Sequence, residues 1–260
     1  MSRPPLIFVI PAYRKSPFIE DCLQSLTSQT HSCEIRIATS TPSSWLDEIA
    51  ISYGAQVFTN PNSDGIAGDW NFALSCGGSN LITLAHQDDI YLANYAEQVV
   101  NYFSSNPDSA IAFTDLGEII NHQRVNLNLR VFVKKLLLFW GFFFSNTIAS
   151  PGSYRRLLSF GCPIPCPAVT FNRHEIGDFR FSTDYQVNLD WMAWTDLSKK
   201  NVKMGYVRGA QVLHRIHTEA ETQKAVASRQ REREDIALFS QYWPKSVVHI
   251  IMYFYRLGYR

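Results

Sequence analysis

Short apolar runs alternate with longer amphipathic stretches through the first 114 residues. Leu6-Ile-Phe-Val-Ile10 is apolar without interruption and rich in β-branched residues, which predicts a strand buried on both faces. After Pro11-Ala-Tyr13, Ser16-Pro17 supplies a cap and a first-turn proline. Phe18, Ile19, Cys22, Leu23 and Leu26 then recur at helical spacing. Ile35 and Ile37 predict a second strand. Ser44-Trp-Leu-Asp47 has the pattern of a capping box opening a second helix, which Gly54 ends. Gln56-Val-Phe58 reads as a third strand. Beyond Asn60-Pro-Asn-Ser-Asp-Gly65, a third helix carries Trp70, Phe72, Ala73 and Leu74 and stops at Gly77-Gly78. The run from Asn80 to Ala85 is the next buried strand, 92–103 a fourth helix and Ala110-Ile-Ala-Phe-Thr114 another strand. This alternation implies right-handed crossovers and an α/β fold with a mostly parallel sheet flanked by helices.

The order weakens after Glu118. Residues 124–172 combine a basic-then-apolar segment, Arg130-Val-Phe-Val-Lys-Lys-Leu-Leu-Leu-Phe-Trp140, with turn-rich Ser150-Pro-Gly and a Pro-Cys-Pro run. They read as a helical insertion rather than a sheet layer. Trp191-Met-Ala-Trp-Thr-Asp-Leu197 predicts a short amphipathic helix and Gly205-Tyr-Val207 a strand. From Glu219 to Glu234 interleaved charges predict a helix with a solvated face, and Trp243-Pro244 separates it from a last apolar helix.

At 260 residues the chain suffices for one α/β domain with a small appendage. Lys and Arg number 24 against 23 Asp and Glu, so no basic footprint for nucleic acid exists. The cysteines are odd in number and scattered, which fits a reducing compartment. Cys162-Pro-Ile-Pro-Cys166 lacks the second pair that a metal site needs and reads as buried thiols in a rigid turn. Met1-Ser-Arg-Pro-Pro5 leads into only five apolar residues, so no secretory leader is expected. Two further apolar runs, Leu136–Phe144 and Val247–Tyr255, fall short of the ~20 residues that cross a bilayer.

The strongest candidate chemistry is His86-Gln-Asp-Asp89, four polar residues where the buried strand stops. Ligands collect at the ends of parallel strands in open α/β sheets. Two carboxylates and an imidazole there suit Mg²⁺ or Mn²⁺ bridging to a diphosphate. The competing reading is an acidic turn, or a cap for the helix that follows.

Five stretches, in order, resemble an inverting glycosyltransferase of family 2 with a GT-A (Rossmann-like) fold, over residues 5 to about 222. They are Phe8-Val-Ile-Pro-Ala-Tyr13 with the helix ending Ser25-Leu-Thr-Ser-Gln29; Gly65-Ile-Ala-Gly-Asp-Trp-Asn71; His86-Gln-Asp-Asp89; Leu189-Asp190-Trp191; and His214-Arg-Ile-His217 with Thr222. The resemblance implies a nucleotide-binding half over 1–120, an acceptor-side half with a helical insertion over 121–222, and a C-terminal helical extension over 223–260. It implies that Pro11, Ala12 and Tyr13 hold the nucleotide base, Tyr13 by stacking. Thr39, Ser40, Asn71, His86 and Gln87 complete the donor site, and Asp88 and Asp89 bind the divalent ion. Asp190 becomes the general base, against a plainer role as cap of its helix. Arg215 and His217 fall where a closing loop adds positive charge or a third metal ligand.

Two positions depart from the family pattern. Ala38-Thr39-Ser40 stands where the family often has an acidic pair, and hydroxyls grip a ribose or uracil edge more weakly. His86 stands at the first acid of Asp-x-Asp. What the resemblance implies, then, is transfer of a sugar from a nucleotide diphosphate, UDP first, to a hydroxyl of a glycan or lipid-linked glycan in cell-surface polysaccharide, lipopolysaccharide or capsule synthesis, in the cytoplasm. Lys134, Lys135, Lys245, Arg256 and Arg260 flank the two apolar runs, which suit the inner membrane surface, a homodimer contact or the core. The rivals are a catalytically silent nucleotide binder or scaffold, and a metal-dependent hydrolase built on His86, Asp88, His214 and His217.

Overall fold

The computed structural model describes residues 5–62, 64–78, 81–120, 123–125, 129–216 and 229–257. Its first half follows the apolar pattern. Strand β1 (Leu6–Ala12) leads through α1 (Ile19–Thr27) to β2 (Glu34–Thr39), and α2 (Ser44–Ser52) leads to β3 (Gln56–Thr59). Helix α3 (Gly65–Cys76) precedes β4 (Leu81–Leu84). β1 pairs in parallel with both β2 and β4, and β2 with β3. Because side chains alternate along a strand, β1 divides the core in two. Leu6, Phe8 and Ile10 pack with α1, α2 and the later helix α4 (Tyr95–Ser105), whereas Ile7 and Val9 pack with α3. The cap of α2 is Ser43, one residue earlier than the pattern suggested: its hydroxyl accepts the Leu46 N–H at 3.3 Å.

The second half departs from a parallel sheet. After β5 (Ile90–Tyr91) and α4, strand β6 (Ser109–Ile120) runs well past Thr114, because it pairs along its length with β10 (Lys203–Arg215). Between them come β7 (Gln123–Val125), α5 (Leu129–Gly141), β8 (Thr147–Ile148), α6 (Pro151–Leu158), β9 (Val169–Asn172), α7 (Arg173–Ile176) and α8 (Leu189–Lys199). Residues 124–172 are therefore more than a helical insertion. β9 lies between β4 and β6, antiparallel to both, in the order β3-β2-β1-β4-β9-β6-β10-β5. The sheet is mixed. Thr170 of β9 anchors this central position, its hydroxyl lying 2.7 Å from that of Thr83 and 3.0 Å from that of Tyr95, all buried. The chain continues through α9 (Arg229–Phe239) and α10 (Lys245–Leu257).

Gly205 of β10 shows how closely the layers fit. A Cβ there would strike the Tyr102 ring, whose hydroxyl is fixed by Ser109 at 3.0 Å and Thr147 at 2.8 Å. Gly205→Ala is expected to lose about 1–3 kcal/mol by overpacking, read as a lower urea midpoint at unchanged slope.

Candidate active site

β1, β2 and β4 end together at one edge of the sheet, and His86–Asp89 turns directly beyond β4. The turn is closed by the Asp89 N–H donating to the His86 carbonyl at 3.1 Å. Ligand atoms of His86, Asp88 and Asp89 all lie within 4.8 Å of one another. Asp89 is fully buried. Its Oδ1 meets His214 Nδ1 at 2.9 Å and accepts the Arg215 N–H at 3.1 Å, while its Oδ2 has no hydrogen-bond partner among the described residues. His86 Nε2 is buried and likewise unpartnered. Such atoms are costly unless something binds them. Burial also pushes His86 below its usual pKa despite the nearby carboxylates, which keeps the imidazole neutral with a lone pair to give. Two carboxylates and a neutral imidazole with two orphaned atoms fit a divalent cation.

His214 is governed by the opposite balance. Burial alone would lower it, but the charge and hydrogen bond of Asp89, together with the charge of Asp88, outweigh burial and raise it. It braces Asp89 through Oδ1, the oxygen other than the orphaned one.

Asp190 is the second residue of α8, and its Oδ1 accepts its neighbour's N–H, that of Trp191, at 2.7 Å. Burial pushes its carboxyl above the usual range, with the Trp191 N–H, Lys134 and the Cys162 thiol opposing that rise. Its charge in turn raises His86, so Asp190 and the His86–Asp89 cluster lie within electrostatic reach of each other. Asp190 owes its placement to a residue that the sequence hid. Glu234 of α9 is buried and accepts the backbone N–H groups of Gln186 at 2.8 Å, Val187 at 3.0 Å and Asn188 at 2.8 Å, just ahead of α8. Asp235 takes the Asn188 side chain at 2.9 Å. The expected solvated face of this segment is thus, at 234 and 235, a buried docking face. Residues 217–228, including His217 and Thr222, lie outside the described residues.

At the β1 edge, Pro11 pairs with Ala38 and Ala12 with Thr39. Tyr13 is 44% exposed at the mouth. Gln87 clamps its backbone, accepting from its N–H and donating to its carbonyl, both at 3.2 Å. Thr39 is buried, its hydroxyl accepting the Thr41 N–H at 3.0 Å. Ser40 donates to Asp69 Oδ2 at 3.0 Å, and Asn60 Nδ2 donates to Asp69 Oδ1 at 3.0 Å. Asn71 looks elsewhere. Both its polar atoms hold the backbone of Phe181, at 2.9 and 2.7 Å. Helical geometry explains the difference: positions 69 and 71 project about 200° apart, so only Asp69 reaches the end of β2. A carboxylate thus stands beside Ser40 although none follows β2 in sequence.

A family model for glycosyl transferase family 2 matches residues 7–158, more than half of the chain. The chain belongs to glycosyl transferase family 2. No curated protein is a significant sequence match. Solved structures extend the likeness over nearly the whole transferase. Residues 1–349 of Staphylococcus aureus TarS with UDP-GlcNAc align at a TM-score of 0.65 and 14% identity, covering 95% of this chain and 70% of that one. The mannosyltransferase PcManGT from Pyrobaculum calidifontis, with GDP-Man and Mn²⁺, gives 0.64 and 13%, covering 97% and 70%. GalNAc-T7 with UDP, GalNAc and Mn²⁺ gives 0.60 and 12%, covering 92% and 47%. At such identities the likeness is one of fold, and that fold is GT-A.

Arg215 is a correction within the transferase. It was expected in a closing loop, but it ends β10, paired with Ile119, because the sheet continues past His214. Its buried guanidinium donates to Asp21 at 2.8 Å and to the Asp88 carbonyl at 3.0 Å, and lies 4.5 Å from the Phe18 ring centre. It props the His86–Asp89 turn through the Asp88 carbonyl. Among the described residues, the groups gathered for a metal are His86, Asp88 and Asp89, with His214 bonded to Asp89 instead of joining them.

Proposed function

We propose that the transferase moves a sugar, with inversion, from a nucleotide diphosphate donor to a hydroxyl of a glycan or lipid-linked glycan in cell-surface polysaccharide synthesis, in the cytoplasm. Residues 1–222 form the transferase domain and 223–260 its helical extension. The observation that carries the reading is the grouping of the orphaned atoms of Asp89 and His86 with a half-buried carboxylate at Asp190 whose charge reaches His86. Tyr13 offers its exposed ring to the base, and the Ser40–Asp69–Asn60 cluster offers acceptors to polar edges of the nucleoside. Asp88, Asp89 and His86 hold the divalent ion, which when bound neutralises the diphosphate leaving group. Asp190 takes the acceptor hydroxyl proton as that oxygen bonds to the anomeric carbon, and the anomeric carbon–phosphate oxygen bond breaks on the opposite face. One base suffices for this single displacement. UDP is the first choice because it accompanies TarS, as UDP-GlcNAc, and GalNAc-T7. Mn²⁺ is preferred to Mg²⁺, because imidazole is a softer ligand than Mg²⁺ favours and Mn²⁺ accompanies two of the neighbours.

The test is melting temperature against UDP, dTDP, GDP and CMP, with and without Mn²⁺. A ligand at a hundredfold its Kd adds about 2.7 kcal/mol to the folded state. The expected result is a Mn²⁺-dependent rise with UDP that disappears with chelator and in Asp88→Ala. No rise with any nucleotide overturns the proposal. A rise without release of UDP from UDP-sugars in the presence of glycan acceptors favours the silent nucleotide binder.

A further inference from the structure

Eleven of the fifteen exposed large apolar side chains among the described residues lie on α5 and the turn after it, at Phe160, or on α10. Scattered apolar exposure is ordinary, but concentration on two helices is not. Each helix is amphipathic. α5 buries Leu138, with Phe142 just beyond its end, and turns Leu136, Phe139 and Trp140 to solvent, while α10 buries Val248 and Met252 and turns out Ile250, Tyr253 and Phe254. They meet at one turn. The Tyr255 hydroxyl donates to the Phe160 carbonyl at 3.1 Å, and a Cβ at Gly161 would strike that hydroxyl and touch Leu137.

We propose that this surface docks on an anionic lipid bilayer. Neither helix carries an acidic residue, and Lys135 and Lys245 accompany the aromatic side chains. Lysine is depleted from the cores of protein interfaces, whereas lysine beside Trp, Tyr and Phe is the composition of helices that lie in a membrane surface. At 13 residues each helix is about 20 Å long, and no helix among the described residues is long and apolar enough to cross a membrane. An open cleft of about 380 Å³ adjoins the patch, lined by Phe144, Ser150, Ser153 and Arg156 and by no acidic side chain, which suits a lipid phosphate. The basic pair of α5 adds a link to the chemistry. Lys134 lowers Asp190, and Lys134 and Lys135 line a second, smaller pocket together with Asp115 and Glu118. Resting on the transferase reading, this last point has α5 present a lipid-borne acceptor to the base.

The test reads binding without activity. The full chain is sedimented with vesicles of phosphatidylcholine alone or mixed with phosphatidylglycerol, at low salt. It is expected to pellet with the mixed vesicles, at least about tenfold more weakly once Trp140→Asp is combined with Phe254→Asp, and unchanged in Ile51→Asp on distant α2. Both altered side chains are exposed, so melting temperatures should match wild type. Lys135→Glu with Lys245→Glu provides a second route to the same loss. Failure of the wild type to pellet with mixed vesicles overturns the proposal, as does unchanged binding in both double variants. So does a dimer in sedimentation velocity that Trp140→Asp with Phe254→Asp dissolves, since a second copy would then be the occupant. None of these outcomes depends on nucleotide binding.

Discussion

Asp190→Asn is expected to lower kcat by about 10²–10⁴-fold, the usual contribution of a general base, while UDP still raises the melting temperature in the presence of Mn²⁺. The amide keeps an oxygen for the Trp191 N–H but cannot take the acceptor proton. Burial raises the Asp190 pKa, and the base acts only when ionised. Activity in the wild type should therefore fall, as pH is lowered, at a higher pH than an ordinary carboxylate would give, and Asp190→Asn should remove that limb. Stability should move the other way. A carboxyl whose folded-state pKa is raised favours the folded state when protonated, and that advantage is lost as pH rises from the unfolded pKa through the folded one. At neutral pH the asparagine variant should then melt no lower than wild type, and higher to the extent that the buried charge is unfavourable. A loss of activity accompanied by a lower melting temperature would point to a merely structural Asp190.

Glu234→Ala is expected to be the most damaging single change outside the cation cluster. It orphans three backbone N–H groups ahead of α8, buried at Asn188 and part-buried at Gln186 and Val187, at up to about 1–3 kcal/mol apiece. Such energies do not simply add, but a loss of roughly 3 kcal/mol or more is expected by urea denaturation. Glu234→Gln, which keeps an acceptor but loses the charge, should recover part of it. If the glutamine variant folds, its kcat should fall more than its affinity for UDP, because Asp190 follows directly on the segment that Glu234 holds. A fully stable Glu234→Ala variant would show that the contact from α9 is dispensable.

The parallel half of the sheet was legible because each strand is a self-contained apolar run and each helix carries its own cap and stripe. His86, Asp88 and Asp89 were legible for a related reason: neighbours in sequence at a strand end remain neighbours in space. Features set by distant pairing were hidden. β9 is four residues long and follows a proline-rich turn, so nothing local marks it as the strand that joins two halves of a sheet. The full length of β6 was masked by Asp115, Gly117 and Glu118, which are accommodated by bulged pairing with β10. Asp69 and Asn71 sit in one motif, and only the rotation of α3 separates the one at β2 from the one holding Phe181. Glu234 lies in a run of alternating charge, where a buried carboxylate and a solvated one look alike until the backbone that it receives has folded against it. Arg215 misled by its polar neighbours, although its strand continues beneath them.

The antiparallel entry of β9 has a consequence for how the chain comes to be folded. β4 and β6 are not neighbours; they are held together by a strand that leaves the ribosome only after residue 172, and β6 gains its other partner only with residues 203–215. Until then the nucleotide-binding half presents two unfilled backbone edges, the kind of template that invites another chain to pair. The donor half is first in sequence but cannot be finished first. Synthesis of this transferase thus passes through a long interval in which its most recognisable half depends on protection from neighbouring chains.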